Sequence, residues 1–203
     1  MEKTRNEIVV RGRIIKETTT KNGTTIITVV TKSGSLDVFL RFVCKNVEVP
    51  AHTKRAHVVV TGHAIGYLHR NSEGKTEYEQ YLVADDVQLE NTMLQDAFGV
   101  QGKFFPTPSV SYYITGKLVA IFEDGDWYRY VVEMDSQDGS NRRSRVRMNM
   151  KKLDRHPELE KGDIVCAIAT ISSPKKVIDG KTRYFEDVII SDLAKVDDVA
   201  DTL

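Results

Sequence analysis

The chain has no surplus charge of either sign: 29 basic residues are matched by 29 acidic ones over 203 residues. No field of the whole protein therefore recruits a polyanion, and any nucleic-acid site must be a local patch. Cysteine is nearly absent. Cys44 and Cys166 lie in apolar, strand-like runs with no partner at metal-ligand spacing. With no secretory leader in view, both read as buried thiols of a reducing, cytoplasmic compartment. No apolar run approaches the length needed to span a bilayer, so no membrane partner is expected. Low-complexity segments are missing as well.

Catalytic machinery is equally sparse. Gly74-Lys75-Thr76 and Gly180-Lys181-Thr182 look like phosphate loops, but the glycine required five positions earlier is His69 in one and Lys175 in the other. No helix follows either, so they are turns. His52 with His57, and His63 with His69, lack a third ligand, so no metal is expected. Asp85 and Asp86 are neighbours on a strand and point to opposite faces, which argues against a shared magnesium ion. There is no visible nucleophile and base, nothing calls for a cofactor, and an enzyme is not expected.

What the chain does have is a repeat. Gly74-Lys75-Thr76-Glu77-Tyr78 returns as Gly180-Lys181-Thr182-Arg183-Tyr184, and Asp86-Val87 returns as Asp192-Leu193, all at an offset of 106. Upstream, Val9-Val10-Arg11-Gly12-Arg13-Ile14-Ile15 is echoed by Tyr113-Ile114-Thr115-Gly116-Lys117-Leu118-Val119 at an offset of 104. Two matches in the same order, about one small domain apart, point to one fold written twice. A glycine inside each strand marks a bulge or a bend.

Within the first copy, Asn6–Lys16, Thr24–Thr31, Leu36–Cys44, Ala56–His69 and Tyr78–Leu89 read as strands, rich in Ile, Val and Thr and alternating in polarity. Val47–Arg55 is a loop or short helix. Five strands with at most a short helix between the third and fourth describe a Greek-key barrel of the OB type. The second copy repeats the order through Ser111–Ile121, Trp127–Met134, Arg142–Met150, Gly162–Ser172 and Tyr184–Leu193, with a short helix candidate at Leu153–Leu159. The chain is thus expected to be all-β. A first barrel occupies residues 1–92, a linker 93–109, a second barrel 110–196 and a short acidic tail 197–203.

Tolerant binding of a single strand needs cations for phosphates and flat side chains for bases. Arg142–Lys152 carries six cations and no acid. Within it Arg145, Arg147 and Asn149 alternate with Val146, Met148 and Met150, and Lys151 follows. The neighbouring strand holds Trp127, Tyr128 and Tyr130; either the face of Tyr128 and Tyr130 or that of Trp127 and Arg129 points to the groove. In the first copy the candidates are Arg11, Arg13, Phe39, Arg41, Tyr67, His69, Arg70, Tyr78 and Tyr81. Against these stands the plain alternative of solvated charge and hairpin packing.

Asn6-Glu7-Ile8-Val9-Val10-Arg11-Gly12-Arg13-Ile14, then Asn22-Gly23 before an apolar strand, then Val58-Val59-Val60-Thr61-Gly62, with Gly74 and Tyr78 beyond, resembles the bacterial single-stranded DNA-binding protein family. The resemblance covers about residues 6 to 90. It implies an OB barrel and stacking of bases on a third-strand aromatic, here Phe42, and a hairpin aromatic, here His69. Val199–Leu203 does not match that family's acidic, Phe-ended tail, so recruitment of repair enzymes through such a tip is not expected. Where the family assembles four barrels, two copies of this chain would supply them as a homodimer. The expected function is binding of single-stranded DNA without sequence preference, in replication, recombination or transfer, for a bacterium, plasmid or phage. RNA is not distinguished from DNA. The alternative is a module that binds a replication or defence protein.

Overall fold

In the computed structural model, the described residues are 4–53, 55–70, 73–90, 93–95, 101–103, 109–135, 143–152, 158–178, 181–184 and 186–196. The expected acidic tail, the segment 136–142, and most of the second helix candidate lie outside them. The residues described between the third and fourth strands of the first repeat form no helix.

The first ring of strands is β1 (Arg5–Thr19), β2 (Thr25–Ser33), β3 (Leu36–Cys44), β4 (His57–Arg70) and β5 (Thr76–Leu89). Their order is β1-β2-β3-β5-β4, and β1 pairs back with β4 to close the ring. β1 with β2, β2 with β3 and β1 with β4 are antiparallel, and β3 with β5 is parallel at Phe42↔Leu82 and Val43↔Val83. Two short strands follow, β6 (Met93–Gln95) and β7 (Gln101–Lys103), which pair with each other.

The second ring comprises β8 (Ser109–Asp124), β9 (Trp127–Asp135), β10 (Arg143–Lys151), β11 (Ile164–Ser172) and β14 (Asp187–Lys195). Its order, β8-β9-β10-β14-β11 with β11 closing on β8, repeats the first, down to the one parallel contact, β10 with β14. β12 (Lys175–Ile178) and β13 (Lys181–Tyr184) pair as the hairpin between β11 and β14. The chain is all-β, two five-stranded OB barrels in tandem.

Alternation builds both interiors. Ile8, Val10 and Ile14 of β1 point inward at 0–2% exposure, and Tyr112, Ile114 and Leu118 of β8, each 104 positions later, do the same. Each such side chain contributes about 1.5–3 kcal/mol on leaving water. Each long first strand is irregular at one point, between Ile14 and Lys16 and again between Leu118 and Ala120. The repeat seen in the sequence is therefore repeated at the level of the bulge that bends a strand around its barrel. On β11 the inward set is Val165, Ala167, Ala169 and Ile171, which puts Cys166 on the outside. Cys166 is thus not the buried thiol its apolar surroundings suggest. Cys44 is buried, and its thiol is pushed up to about 11 by burial and by the charge of Glu17.

By its internal contacts the chain divides into two compact units. One is Ile8–His63 with Leu82–Val110. The other is Ser111–Leu203 together with Met1–Glu7 and Ala64–Tyr81, the outer hairpin of β4 and β5. In this second unit Asn6 donates from Nδ2 to the Ala64 carbonyl (2.8 Å), accepts the Ala64 N–H (3.1 Å) and accepts the Tyr112 hydroxyl (2.7 Å). The Ser144 hydroxyl donates to the same Ala64 carbonyl at 3.0 Å. A buried polar group without partners is costly, and here each is satisfied by the others.

Gly12 and Gly116 hold matching places in the two barrels, and neither leaves room for a side chain. A Cβ at Gly12 would sit 2.3 Å from the Val30 carbonyl oxygen, and one at Gly116 2.6 Å from that of Glu133. Backbone cannot yield as a flexible side chain does. Gly12→Ala and Gly116→Ala are each expected to destabilise the protein by about 1–3 kcal/mol, read as a lowered urea midpoint.

Candidate nucleic-acid interface

β9 and β10 lie side by side in the register Trp127↔Lys151, Arg129↔Asn149, Val131↔Arg147 and Glu133↔Arg145. Tyr130, Val132 and Met134 face the barrel interior with Val146, Met148 and Met150, all at most 4% exposed. The odd-numbered residues are therefore on the outside. There Trp127, Arg129, Arg147 and Asn149 line a cleft of about 190 Å³ with Asp187 and Ile189. The Lys151 ammonium lies 5.8 Å from the centre of the Trp127 ring. A flat ring, amide and guanidinium donors and a nearby ammonium share one surface, the chemistry a single strand requires.

The arginines of this face differ in what they are free to do. Glu133, whose side chain is 9% exposed, accepts from Arg143 Nη1 (2.6 Å) and from Arg145 Nε (3.0 Å). Burial alone would raise the Glu133 carboxyl, but the two guanidinium groups outweigh it and hold the carboxyl below its usual value. One carboxylate shared in this way offsets one of the two charges, and the basic run is less basic in space than in sequence. Arg129 pairs with Asp124. Arg147 has no carboxylate partner among the described residues, and its guanidinium carbon lies 5.1 Å from the centre of the Tyr78 ring.

Tyr78 comes from the hairpin Ala64–Tyr81. Its hydroxyl donates to the Arg145 carbonyl (2.7 Å) and accepts the Arg147 N–H (3.1 Å), with Gln80 Oε1 at 2.6 Å. Burial pushes the phenol up to about 12, although the Arg147 amide and charge pull it down. Gly66 makes this approach possible: a Cβ there would be 1.9 Å from the Arg145 carbonyl oxygen and 2.3 Å from the Tyr78 hydroxyl.

Other expected residues fall elsewhere. Phe42, expected to stack a base, is 0% exposed and fills the first barrel, because on β3 the inward set is Val38, Leu40 and Phe42. Phe39 and Arg41 take the outward set, and Arg13 is level with Phe39 through Val30 of β2, so these three share an outer face. Arg11 lies 3.5 Å from Glu90. Tyr130 is likewise interior at 2% exposure and offers no face to a base on the outside of the sheet. Tyr128 points to the same side as Tyr130, toward a different cleft from Trp127.

On the outer hairpin, the Tyr67 ring meets His69 (5.8 Å between centroids) and Tyr81 (6.2 Å). Carboxylates surround this cluster: the Tyr67 hydroxyl donates to Glu79 at 2.7 Å, and His69 lies 3.9 Å from both Glu77 and Glu79. Acid so close opposes phosphate. Arg70 is exposed at the end of β4. The sequence named Arg129 only as the companion of Trp127 on one of two possible faces and Asn149 only as a member of the set with Arg145 and Arg147, and the two-residue period joins both to Trp127 and Arg147. No local signal marks Asp187, Ile189 or Glu133.

Fold and site together define a tandem OB-barrel protein with an aromatic and cationic cleft on the outer β9–β10 face. In fold the chain is similar to the wild-type single-stranded DNA binding protein from Thermus aquaticus, with a TM-score of 0.57 at 12% identity over 100% of this chain and 98% of that one. It is similar also to a variant of that protein with a deletion and one substitution, with a TM-score of 0.54 at 12% identity over 97% and 96%. No protein-family model matches the chain, and none of the curated proteins matches it in sequence.

Tyr78→Phe keeps the ring under Arg147 but leaves the Arg145 carbonyl without its donor and the Arg147 N–H with only the longer bond to Gln80 Oε1 at 3.4 Å, and is expected to lower stability by about 1–3 kcal/mol. Because the phenol's pKa is raised on folding, its contribution is complete below about pH 10 and is lost as the pH rises toward 12. Wild type should therefore lose about 2–3 kcal/mol more than Tyr78→Phe over that range in urea titrations at stepped pH. Arg145→Ala, by weakening the hold on Glu133, should destabilise by about 1–2 kcal/mol in the same assay at pH 7.

Proposed function

We propose that the chain binds single-stranded DNA without sequence preference, on the outer face of β9 and β10. The observation that carries this reading is Arg147. It sits on an open face beside Trp127, Asn149 and Lys151, it has no carboxylate partner among the described residues, and its guanidinium is held against the Tyr78 ring. A guanidinium so placed is free to meet a phosphate or to stack on a base, while Trp127 supplies a flat surface beside it. The likeness in fold to a single-stranded DNA binding protein supports the reading. Balanced overall charge fits a protein whose affinity comes from a few local contacts. In this role it would protect or organise single strands in replication, recombination or transfer.

Trp127 is the sole tryptophan, so its emission reports on this face. Titration with oligo-dT is expected to quench it, with affinity falling as salt rises. Arg147→Ala should weaken binding by about 1–3 kcal/mol and make the salt slope shallower by about one. Arg145→Ala should weaken binding less than Arg147→Ala, by under about 1 kcal/mol, since its guanidinium is tied to Glu133 and is not free to stack on a base. Equal effects of the two substitutions, or no response to oligo-dT, would count against this site.

A further inference from the structure

We propose a second, separate binding site at the mouth of the second barrel, which takes an arginine-bearing segment of a partner protein. The mouth is a cleft of about 460 Å³ lined by Ile121, Tyr128, Tyr130, Glu158, Leu159, Glu160 and Lys195. That volume is in the range of sites that hold small ligands or a few side chains. It opens on the interior side of β9, away from Trp127 and Arg147.

Three observations decide the chemistry. The Tyr128 ring, 6.2 Å from that of Tyr130 and at 38° to it, gives the cleft a flat aromatic wall, and Ile121 and Leu159 add apolar surface. Tyr130 is 2% exposed, yet its hydroxyl has no hydrogen-bond partner among the described residues. That oxygen is open to the cleft instead of sealed in the core, so it has room for a partner that enters from outside. Its proton is held more tightly than usual by the burial.

The charges settle the sign of the ligand. Lys195 is committed to Asp163 at 2.8 Å, and Lys152, 5.4 Å from the Tyr128 ring, is committed to Glu123 at 2.7 Å. Glu158 and Glu160 are exposed and make no ion pair among the described residues. The carboxylates left over repel a phosphate backbone and attract a cation. A guanidinium fits better than an ammonium: it can stack flat on a tyrosine, reach a carboxylate with two parallel N–H bonds and offer a further N–H to the Tyr130 hydroxyl.

The test uses the full chain and fluorescence anisotropy with three fluorescein-labelled octapeptides, (Arg-Gly)4, (Lys-Gly)4 and (Glu-Gly)4. The arginine peptide is expected to bind, the lysine peptide about tenfold more weakly, and the glutamate peptide not at all. Glu158→Gln with Glu160→Gln should weaken the arginine peptide by about tenfold or more while oligo-dT binding stays as in wild type. Tyr130→Phe should weaken the peptide about threefold to tenfold without lowering the melting temperature, because the lost hydroxyl has no partner among the described residues. The proposal is overturned if the arginine peptide fails to bind, if it binds the doubly substituted chain as tightly as wild type, or if oligo-dT is the ligand those two substitutions affect. Loss of oligo-dT binding in Arg147→Ala with the peptide unaffected separates this site from the nucleic-acid face.

Discussion

Strand β10 has an edge that its own barrel does not fully pair. It matches β9 from Arg143 to Lys151, but its other edge meets β14 only at Met148 and Asn149. The Arg145 carbonyl and the Arg147 N–H, two residues apart and so on the same edge, would otherwise be open. The Tyr78 hydroxyl takes both, and Gln80 Oε1 shares the Arg147 N–H at 3.4 Å. One phenol thus satisfies an exposed strand edge, anchors the hairpin Ala64–Tyr81, and places an aromatic ring under Arg147. Unpaired edges invite unwanted strand addition, and covering one with a hairpin is a common remedy.

The arrangement links stability to function through a single side chain. A guanidinium on a long flexible stem loses rotamer freedom when it binds, and a ring already packed against it reduces that loss. Arg147 is held by the Tyr78 ring and still has its N–H groups available to a ligand. Arg145, two positions away and equally basic, is drawn into a different task, compensating a nearly buried Glu133 with Arg143. The same strand therefore carries one arginine for the fold and one for the surface.

The two barrels share their plan and differ in their chemistry. Their closing order, the one parallel contact in each and the bulge 104 positions apart follow from a duplicated backbone. The side chains over that backbone have diverged. In the first repeat the hairpin aromatics Tyr67, His69 and Tyr81 stand among Glu77 and Glu79, and Arg11 is met by Glu90. In the second, one outer face combines Trp127 with Arg147 and Lys151, while the cleft at Tyr128 and Tyr130 is lined by Glu158 and Glu160, which make no ion pair among the described residues. A chain with no net charge can still present surfaces of opposite character.

The amino-acid order alone determined the number and kind of barrels. Strand content, the period of two, the turn glycines and the duplicated Gly12 and Gly116 are local or repetitive features, and local features can be read from neighbours along the chain. Even the face of β9 that holds Trp127 was narrowed to two choices. What only the tertiary structure decided was which cations remain available and which aromatics lie inside. Glu133 reaches Arg145 across 12 positions, and Tyr78 reaches Arg147 across 69. Phe42 and Cys166 were misplaced for a related reason: alternation says that two faces differ, but only the curvature of the closed barrel decides which of them is the interior.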